Sequence, residues 1–317
     1  MRLGVLVRKW KAVRQDVRRS IALRFVSDRD YLRGLHFRKF GRWPELEQPA
    51  GFNEKIIVKI LNDRRSLMTL FADKLRVRDY VRRAAPELKL PTLYWWASRA
   101  DTLPFDELPR AFVMKANHGS GWVRLVENKT SLRRSDLVNM GKRWLRRDFT
   151  AVGRERAYSG VSRAVYAEEL LRAQAGGPPP DYKFFVFGGK VRMVQVDRDR
   201  FTRHTQVLYD EHWRLVPGTV AAKQGEPVDA PPALATMIRA AERLSAGVDF
   251  VRVDLYAIDG KTYFGELTTS PNKGLSPFDP PSLDAWLGSC LQLDDYAREI
   301  PLVYDPGAFR EPWTIGS

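Results

Sequence analysis

The chain of 317 residues contains one cysteine, Cys290. That excludes an intrachain disulfide and any cysteine zinc site, and it fits a reducing compartment. With only four histidines, a His-rich metal centre is not expected. No apolar run is long enough to span a membrane. The opening stretch MRLGVLVRKWKAVRQ has too short an apolar core for a signal peptide, and charge follows it at once. Walker A and GxGxxG patterns are both missing, as is any Ser/His/Asp or Cys/His set for nucleophilic catalysis. There is no internal repeat and no low-complexity segment. The expectation is a cytoplasmic protein with a substantial core, since 44% of its residues are hydrophobic.

Acidic charge is also in deficit. There are 53 Lys and Arg against 38 Asp and Glu, a formal net charge of +15. Such a balance favours anionic partners: nucleic acid, acidic glycans, anionic lipid or phosphorylated ligands. The excess is greatest at the start, where residues 1–43 carry 13 basic against 3 acidic side chains. There Leu3, Leu6, Trp10, Val13, Val17 and Ile21 recur at helical spacing, one apolar stripe on a basic helix. Such a helix either docks on the domain with its arginines outward or lies on an anionic membrane surface.

Farther on, residues 53–85 read as helical, with a boundary near Asn62-Asp63. LPTLYWW (90–96) reads as a strand entry, and AFVMKANHGSGWVRLV (111–126) as strand, glycine loop, strand. Residues 131–147 read as a helix. YKFFVFGGKVRMVQVD (182–197) is a hairpin turning at Gly188-Gly189. Residues 232–246 and 282–297 are further helices. Strands and helices interleave without a regular period, so the fold class is α+β.

VRVDLYAIDGKTYFGELTTSPNKG (251–274) is a second hairpin, with its turn at Asp259-Gly260. A strict two-residue turn sets Asp254 opposite Gly265. A three-residue loop or a bulge pairs Asp254 with Glu266, with Cβ atoms about 5 Å apart. Two carboxylates that close repel unless a cation lies between them. The choice is a Mg²⁺ ion, which favours one or two carboxylates plus phosphate oxygens, or a solvated face on which each acid pairs with an arginine. In FVMKANHGSGW (112–122), Lys115 ends an apolar strand just before Gly119, Ser120 and Gly121. Glycines let backbone N–H groups approach an anion and a lysine adds charge; two glycines in an ordinary turn read the same way. His118 is a phosphate contact or a structural turn residue. Asp73 can cap a helix start, which leaves Lys74 to reach a phosphate or solvent. Glu168 and Glu169 end an apolar strand.

Taken in order, these pieces resemble an ATP-grasp protein, and in particular the TupA-like ATP-grasp family of bacterial polysaccharide biosynthesis. The matching stretches are FNEKIIVKILNDR (52–64), ADKLRVRDYV (72–81), FVMKANHGSGW (112–122), GRERAY (153–158), YAEELL (166–171), DYKFFVFGGKVRMVQVDRDR (181–200) and FVRVDLYAIDGKTYFGELTTSPNKG (250–274). The resemblance covers roughly residues 30–290.

The resemblance implies a nucleotide between two α+β subdomains. Lys74 and Lys115 grip phosphates, and Gly119, Ser120 and Gly121, with His118 beside them, form the loop over them. Glu168, Glu169 and Leu171 line the adenine and ribose pocket. Lys183 faces the nucleotide or the γ-phosphate. Asp254 and Glu266 ligate Mg²⁺. Thr268 stands where many ATP-grasp ligases carry an asparagine ligand, a departure that touches the second metal position. Arg252 resembles the arginine that D-alanine–D-alanine ligases place before their metal aspartate, and SPNKG (270–274) lies near the acceptor. The implied organisation is a basic helical segment over 1–50, an N-terminal subdomain over 51–165 and a C-terminal subdomain over 166–317.

The implied activity is ligation of a carboxylate to an amine through an acyl-phosphate. ATP and Mg²⁺ take part, and a sugar acid or acidic glycan precursor and an amine or amino acid are the partners. Nucleic acid is not expected. Residues 1–24 are a candidate contact with the inner face of the membrane. Arg192, Arg198, Arg200 and Arg203 are either anion contacts or solvated side chains. An ATP-grasp kinase acting on a sugar hydroxyl, and a non-catalytic polyanion-binding protein, are the competing readings.

Overall fold

The computed structural model describes residues 26–173, 176–199, 203–220 and 222–300. The apolar stripe at 1–24 and Arg200 lie outside them.

The first described helix, α1 (Asp28–Phe40), is capped by Ser27, whose hydroxyl accepts from the Asp30 amide, and ends at Gly41 in the left-handed region. The stretch expected to be helical over 53–85 is three helices: α2 (Phe52–Asn62), α3 (Ser66–Ala72) and α4 (Val77–Ala84). Two buried aspartates make the breaks. Asp63 turns inward to Lys59 and Arg65. Asp73 accepts from the amides of Leu75 and Arg76 at 3.0 and 3.3 Å, the capping role expected of it.

A four-stranded antiparallel sheet follows, in the order β1 (Leu93–Ala97), β4 (Val165–Glu168), β2 (Phe112–Ala116), β3 (Val123–Val126). Helix α5 (Arg134–Arg146) covers one face of it through Leu137, Val138 and Trp144. The short helix α6 (Phe149–Gly153) leads back toward β4.

The larger sheet has seven strands. Its centre is β6 (Lys190–Arg198), β5 (Asp181–Phe187), β11 (Phe250–Ile258) and β12 (Lys261–Thr268). Beyond β6 lie β7 (Thr205–Tyr209) and the short strands β8 (Leu215–Val216) and β10 (Lys223–Gln224). The equally short β9 (Thr219–Val220) pairs with β13 (Phe278–Asp279). Helices α7 (Leu234–Leu244) and α8 (Ser282–Cys290) complete the fold. The last helix stops at Cys290, short of the expected 297, because Leu291 turns extended and buries itself in the core.

Alternation along the strands decides where the chemistry lies. Phe184, Val186, Val194, Val196, Val253 and Leu255 point to one face, under α3, α4 and α7. Phe185, Phe187, Met193 and Phe250 point to the other, under α2 and α8. Asp181, Lys183, Asp197, Arg252 and Asp254 share the parity of this second set, so the face is apolar at one end and charged at the other. The boundary expected at 165/166 falls inside β4, and α2, α3 and α4 all pack on the larger sheet.

Candidate functional site

The charged end of the large sheet is organised by the β11–β12 hairpin. Its turn is the two-residue kind: Ile258 pairs with Lys261, and Asp259 and Gly260 both have positive φ. The register then slips by one residue between Asp254 and Leu255, where Leu255 pairs with Phe264 and Asp254 pairs with Glu266. The extra residue of this bulge is Gly265. A Cβ there would lie 2.8 Å from the Asp254 carbonyl oxygen, so only glycine fits without a shift. The bulge brings the two carboxylates to the same face.

Arg252 binds both. Its Nε and Nη2 donate to Asp254 Oδ1 and Oδ2, each at 2.7 Å. The same Nη2 lies 3.4 Å from Glu266 Oε1 and 3.2 Å from Thr268 Oγ1, and the Thr268 hydroxyl donates to Glu266 Oε1 at 3.2 Å. One guanidinium nitrogen thus sits among three oxygens on two strands, as a small cation would. All three donors are hard oxygens of the kind Mg²⁺ takes. Among the described residues no group of three or more His, Cys, Asp or Glu forms a protein-only metal cage. The donor set fits Mg²⁺, provided the guanidinium yields.

Lys183 lies beneath this pair. Its Nζ contacts Asp181, stands 3.1 Å from Asp197 and 3.7 Å from Asp254, and the residue is buried. In this structure its ammonium is committed to three aspartates rather than presented to the cleft. Burial pushes the Asp254 carboxyl up to about 6 against the pull of Arg252 and Lys183, and Asp181 adds to the push. Glu266 goes the other way. Burial raises it, but the cations Lys74, Arg252, Lys183 and Lys115 outweigh that and hold it at about 2. Its side chain is 41% exposed, so of the two acids it is the one that solvent reaches.

Lys74 and Lys115 face it from the other side. Lys115, on β2, binds Glu168 Oε1 at 2.5 Å, and Glu168 also meets Arg78 at 3.5 Å. Lys74 donates to the Gly119 carbonyl at 2.9 Å, which ties it to the glycine loop. Burial lowers the Lys74 pKa, while Glu266 pulls it up and Lys115 pushes it down. Glu169 is turned to Thr92, accepting from its amide and hydroxyl at 3.0 Å, and Leu171 is half-buried just beyond.

In the glycine loop, Gly121 has φ +75° and open space around it. Gly119 is crowded: a Cβ would meet the Trp122 ring at 2.7 Å. Ser120 is exposed between them. His118 is turned inward, with Nδ1 3.1 Å from Asn117 Oδ1 and Nε2 3.1 Å from the Trp144 carbonyl oxygen. Buried in this way, it stands with the structural reading of a turn histidine rather than the phosphate one. Of the four arginines near β6, Arg192 lies 3.6 Å from Glu211 and Arg198 donates to the Glu226 carbonyl, while Arg203 is exposed.

Sequence reasoning assigned no role to a second layer. Trp122, Phe149 and Tyr158 form a chain of edge-on rings, with centroids 5.5 and 4.7 Å apart. Tyr158 lies 6.0 Å under the Lys74 ammonium. The chain links the glycine loop to GRERAY, where Glu155 accepts from Ser270 Oγ at 2.5 Å. Lys59, Asp63, Arg65, Asp249 and Asp294 form a buried ion network below the site. The only local signal for either was the block GRERAY and the charges in an otherwise apolar helix.

A family model described as TupA-like ATPgrasp matches residues 54–292. No curated protein matches the chain in sequence. Similar solved structures include D-alanine–D-alanine ligase from Bacillus anthracis complexed with ATP, at 17% identity and TM-score 0.38 over 63% of this chain and 54% of that one. An L-amino acid ligase from Bacillus licheniformis gives 15% and 0.40 over 69% and 44%. D-alanyl-alanine synthetase A from Vibrio cholerae gives 11% and 0.39 over 63% and 56%. The chain spans about half the length of these structures.

Proposed function

The chain belongs to the TupA-like ATP-grasp family, and from that premise we propose that it is an ATP-dependent carboxylate–amine ligase of cell-surface polysaccharide synthesis. The observation that carries this reading is that two lysines, Lys74 and Lys115, stand near enough to Glu266 to act on its charge, and that Glu266 is paired across the strands with a second carboxylate, Asp254. Lysines suit phosphate oxygens, and carboxylates suit the cation that accompanies them.

In this reading the phosphates of ATP lie between Lys74 and Lys115 under the loop from Gly119 to Gly121. Glu168, Glu169 and Leu171 border the adenosine. Asp254, Glu266 and Thr268 would hold Mg²⁺, which would neutralise charge on the phosphates. Arg252, freed from Asp254, turns its fork to the transferring phosphoryl group or the developing oxyanion. A substrate carboxylate attacks the γ-phosphorus: the O–P bond forms, the bond to ADP breaks, and an acyl-phosphate results. An amine then displaces phosphate to give an amide. Lys183 keeps the three aspartates around it compensated while the charge above them changes. The basic surface suits a sugar acid or acidic glycan precursor as the carboxylate partner. Among the described residues no helix is long and apolar enough to cross a membrane.

Thermal stability with Mg²⁺ and a non-hydrolysable ATP analogue tests the reading. At a hundred times its dissociation constant the nucleotide adds about 2.7 kcal/mol, and Asp254→Asn/Glu266→Gln loses that gain. No shift in the wild type, with salt-steep binding to polyanions instead, would replace the ligase by a binding protein. With turnover established, an amide product supports ligation, and a phosphorylated sugar hydroxyl turns the reading to a kinase.

A further inference from the structure

Helix α1 sorts its side chains by the helical period. Leu32 and His36, four residues apart, are buried, and Tyr31 and Leu35 pack on the same core as Phe52 and Ile56. Arg33 and Phe37, one residue on, turn outward. Past Gly41 the chain folds back and lays the Trp43 ring on that of Phe37, with centroids 4.6 Å apart and planes at 25°. The Arg33 guanidinium lies 5.3 Å from the Trp43 centroid. His36 holds this return, with Nδ1 3.0 Å from the Arg42 carbonyl oxygen.

Four large apolar side chains are exposed among the described residues, and this pair supplies two of them, Phe37 at 42% and Trp43 at 57%. An apolar contact across the turn is a common way to close a helix end. Closure alone does not call for an indole that stays more than half in water.

The charges around the pair are sorted too. The nearby acids are engaged: Asp30 with Arg33 at 3.8 Å, Glu47 with Arg29, Glu54 with Arg42 at 2.6 Å, and Glu45 with the amides of Glu47 and Gln48. Arg38 and Lys39, which follow Phe37, are exposed and have no ion pair among the described residues. Two exposed rings beside two uncommitted cations match the chemistry of an anionic bilayer surface. There aromatic rings settle between headgroups and acyl chains while Lys and Arg meet the headgroup charge. An acidic glycan would also meet the cations, but Phe37 and Arg33 both lie over the indole, so the ring face on which a sugar stacks is partly taken. The sequence that leads into Ser27 repeats the same chemistry, apolar residues spaced among arginines and lysines.

We propose that the end of α1 docks on an anionic membrane surface, with Phe37 and Trp43 entering the interface and Arg38 and Lys39 at the headgroups. This is a contact made by folded residues, in addition to any made by residues 1–24, and it does not depend on the chemistry at the nucleotide site.

The test is binding of the full chain to vesicles of phosphatidylcholine alone or mixed equally with phosphatidylserine. The wild type is expected to prefer the mixed vesicles. Phe37→Ser/Trp43→Ser is expected to weaken that binding about tenfold or more, and Arg38→Glu/Lys39→Glu by a similar factor. Lys142→Glu/Arg143→Glu makes the same charge change at exposed positions of α5, and its expected loss is about threefold at most. Trp43 reports the contact directly. Its emission, taken as wild type minus Trp43→Phe, is expected to move to shorter wavelength and become shielded from acrylamide when mixed vesicles are added. No binding by the wild type, undiminished binding by both α1 variants, or equal losses in the α1 and α5 charge variants overturns the proposal. Shielding of Trp43 before vesicles are added puts residues 1–24 or a second copy of the chain on the rings and overturns it as well. Shielding by polygalacturonate and not by vesicles would give the patch to an acidic glycan instead. Melting temperatures check that the variants fold. Should Phe37→Ser/Trp43→Ser fail to fold, Arg38→Glu/Lys39→Glu against the α5 control decides.

Discussion

The guanidinium of Arg252 and the carboxylate of Asp254, two residues apart on one strand, are joined by two parallel hydrogen bonds of 2.7 Å. Strand alternation places them on the same face, and the bulge at Gly265 adds Glu266 to the pair. The fork therefore rests on the same oxygens that Mg²⁺ takes in the proposed mechanism. Arg252→Lys retains the charge and loses the fork. It is expected to lower kcat by about 10²–10³-fold while ATP affinity changes little. Steady-state ADP release checks this, and a change confined to KM for ATP would assign Arg252 to ground-state binding.

Lys183 compensates Asp181, Asp197 and Asp254 in a buried position. Lys183→Met leaves these carboxylates without that cation. The expected cost is about 3–5 kcal/mol of folding stability, in the range for breaking a buried pair from one side. Urea denaturation measures it. A loss below about 1 kcal/mol, a level typical of exposed pairs, would show that the aspartates do not depend on Lys183.

The two glycines of the loop should fail differently. Gly119→Ala forces a Cβ against the Trp122 ring at 2.7 Å and the Phe149 ring at 3.0 Å. It is expected to cost about 1–3 kcal/mol through overpacking and to shift the tryptophan emission. Gly121→Ala meets nothing within 4 Å but must hold φ +75°. Its cost is that of the left-handed conformation, about 1–2 kcal/mol, with tryptophan emission unchanged. Equal spectra for the two variants would contradict the distinction.

A pH dependence follows from Glu54, which reaches back from the first turn of α2. Its carboxylate accepts from Arg42 at 2.6 Å and from the amides of Glu45 and Gly51 at 3.2 and 3.4 Å. Burial pushes its pKa up, but these donors outweigh that and leave it below the ordinary value. A depressed carboxyl adds stability above its unfolded pKa of about 4.3 and loses it as pH falls through the folded value. The stability difference between wild type and Glu54→Gln should therefore be full at pH 6 and shrink below about pH 4. Denaturation at several pH values checks this, and a difference that grows on acidification would reverse the sign.

Elements and their faces were legible in the chain because they depend on near neighbours. Alternation over 250–258, the Asp259-Gly260 turn and the glycine pair at 188–189 each specify a hairpin locally. The order of lysines, glycines and acids, read against a family pattern, singled out Lys74, Lys115, Arg252, Asp254 and Glu266, which the fold brings near one another. Local pattern left two registers open for the acidic hairpin. What decided between them was the close approach of Gly265 to the Asp254 backbone, together with the second pairing of β11, to β5.

Other features depended on tertiary structure alone. Lys183 reads as a nucleotide contact until β6 and β11 bring Asp197 and Asp254 to it. His118 reads as a loop residue until α5 offers the Trp144 carbonyl, 26 residues away. Glu155 meets Ser270 across 115 residues and Lys59 meets Asp249 across 190. No short window contains both members of such a pair. By itself the sequence determined which strands carry charge. Only the packing of the two sheets decided which charges are compensated and which remain available to a ligand, because that depends on groups brought from distant parts of the chain into a space closed to water.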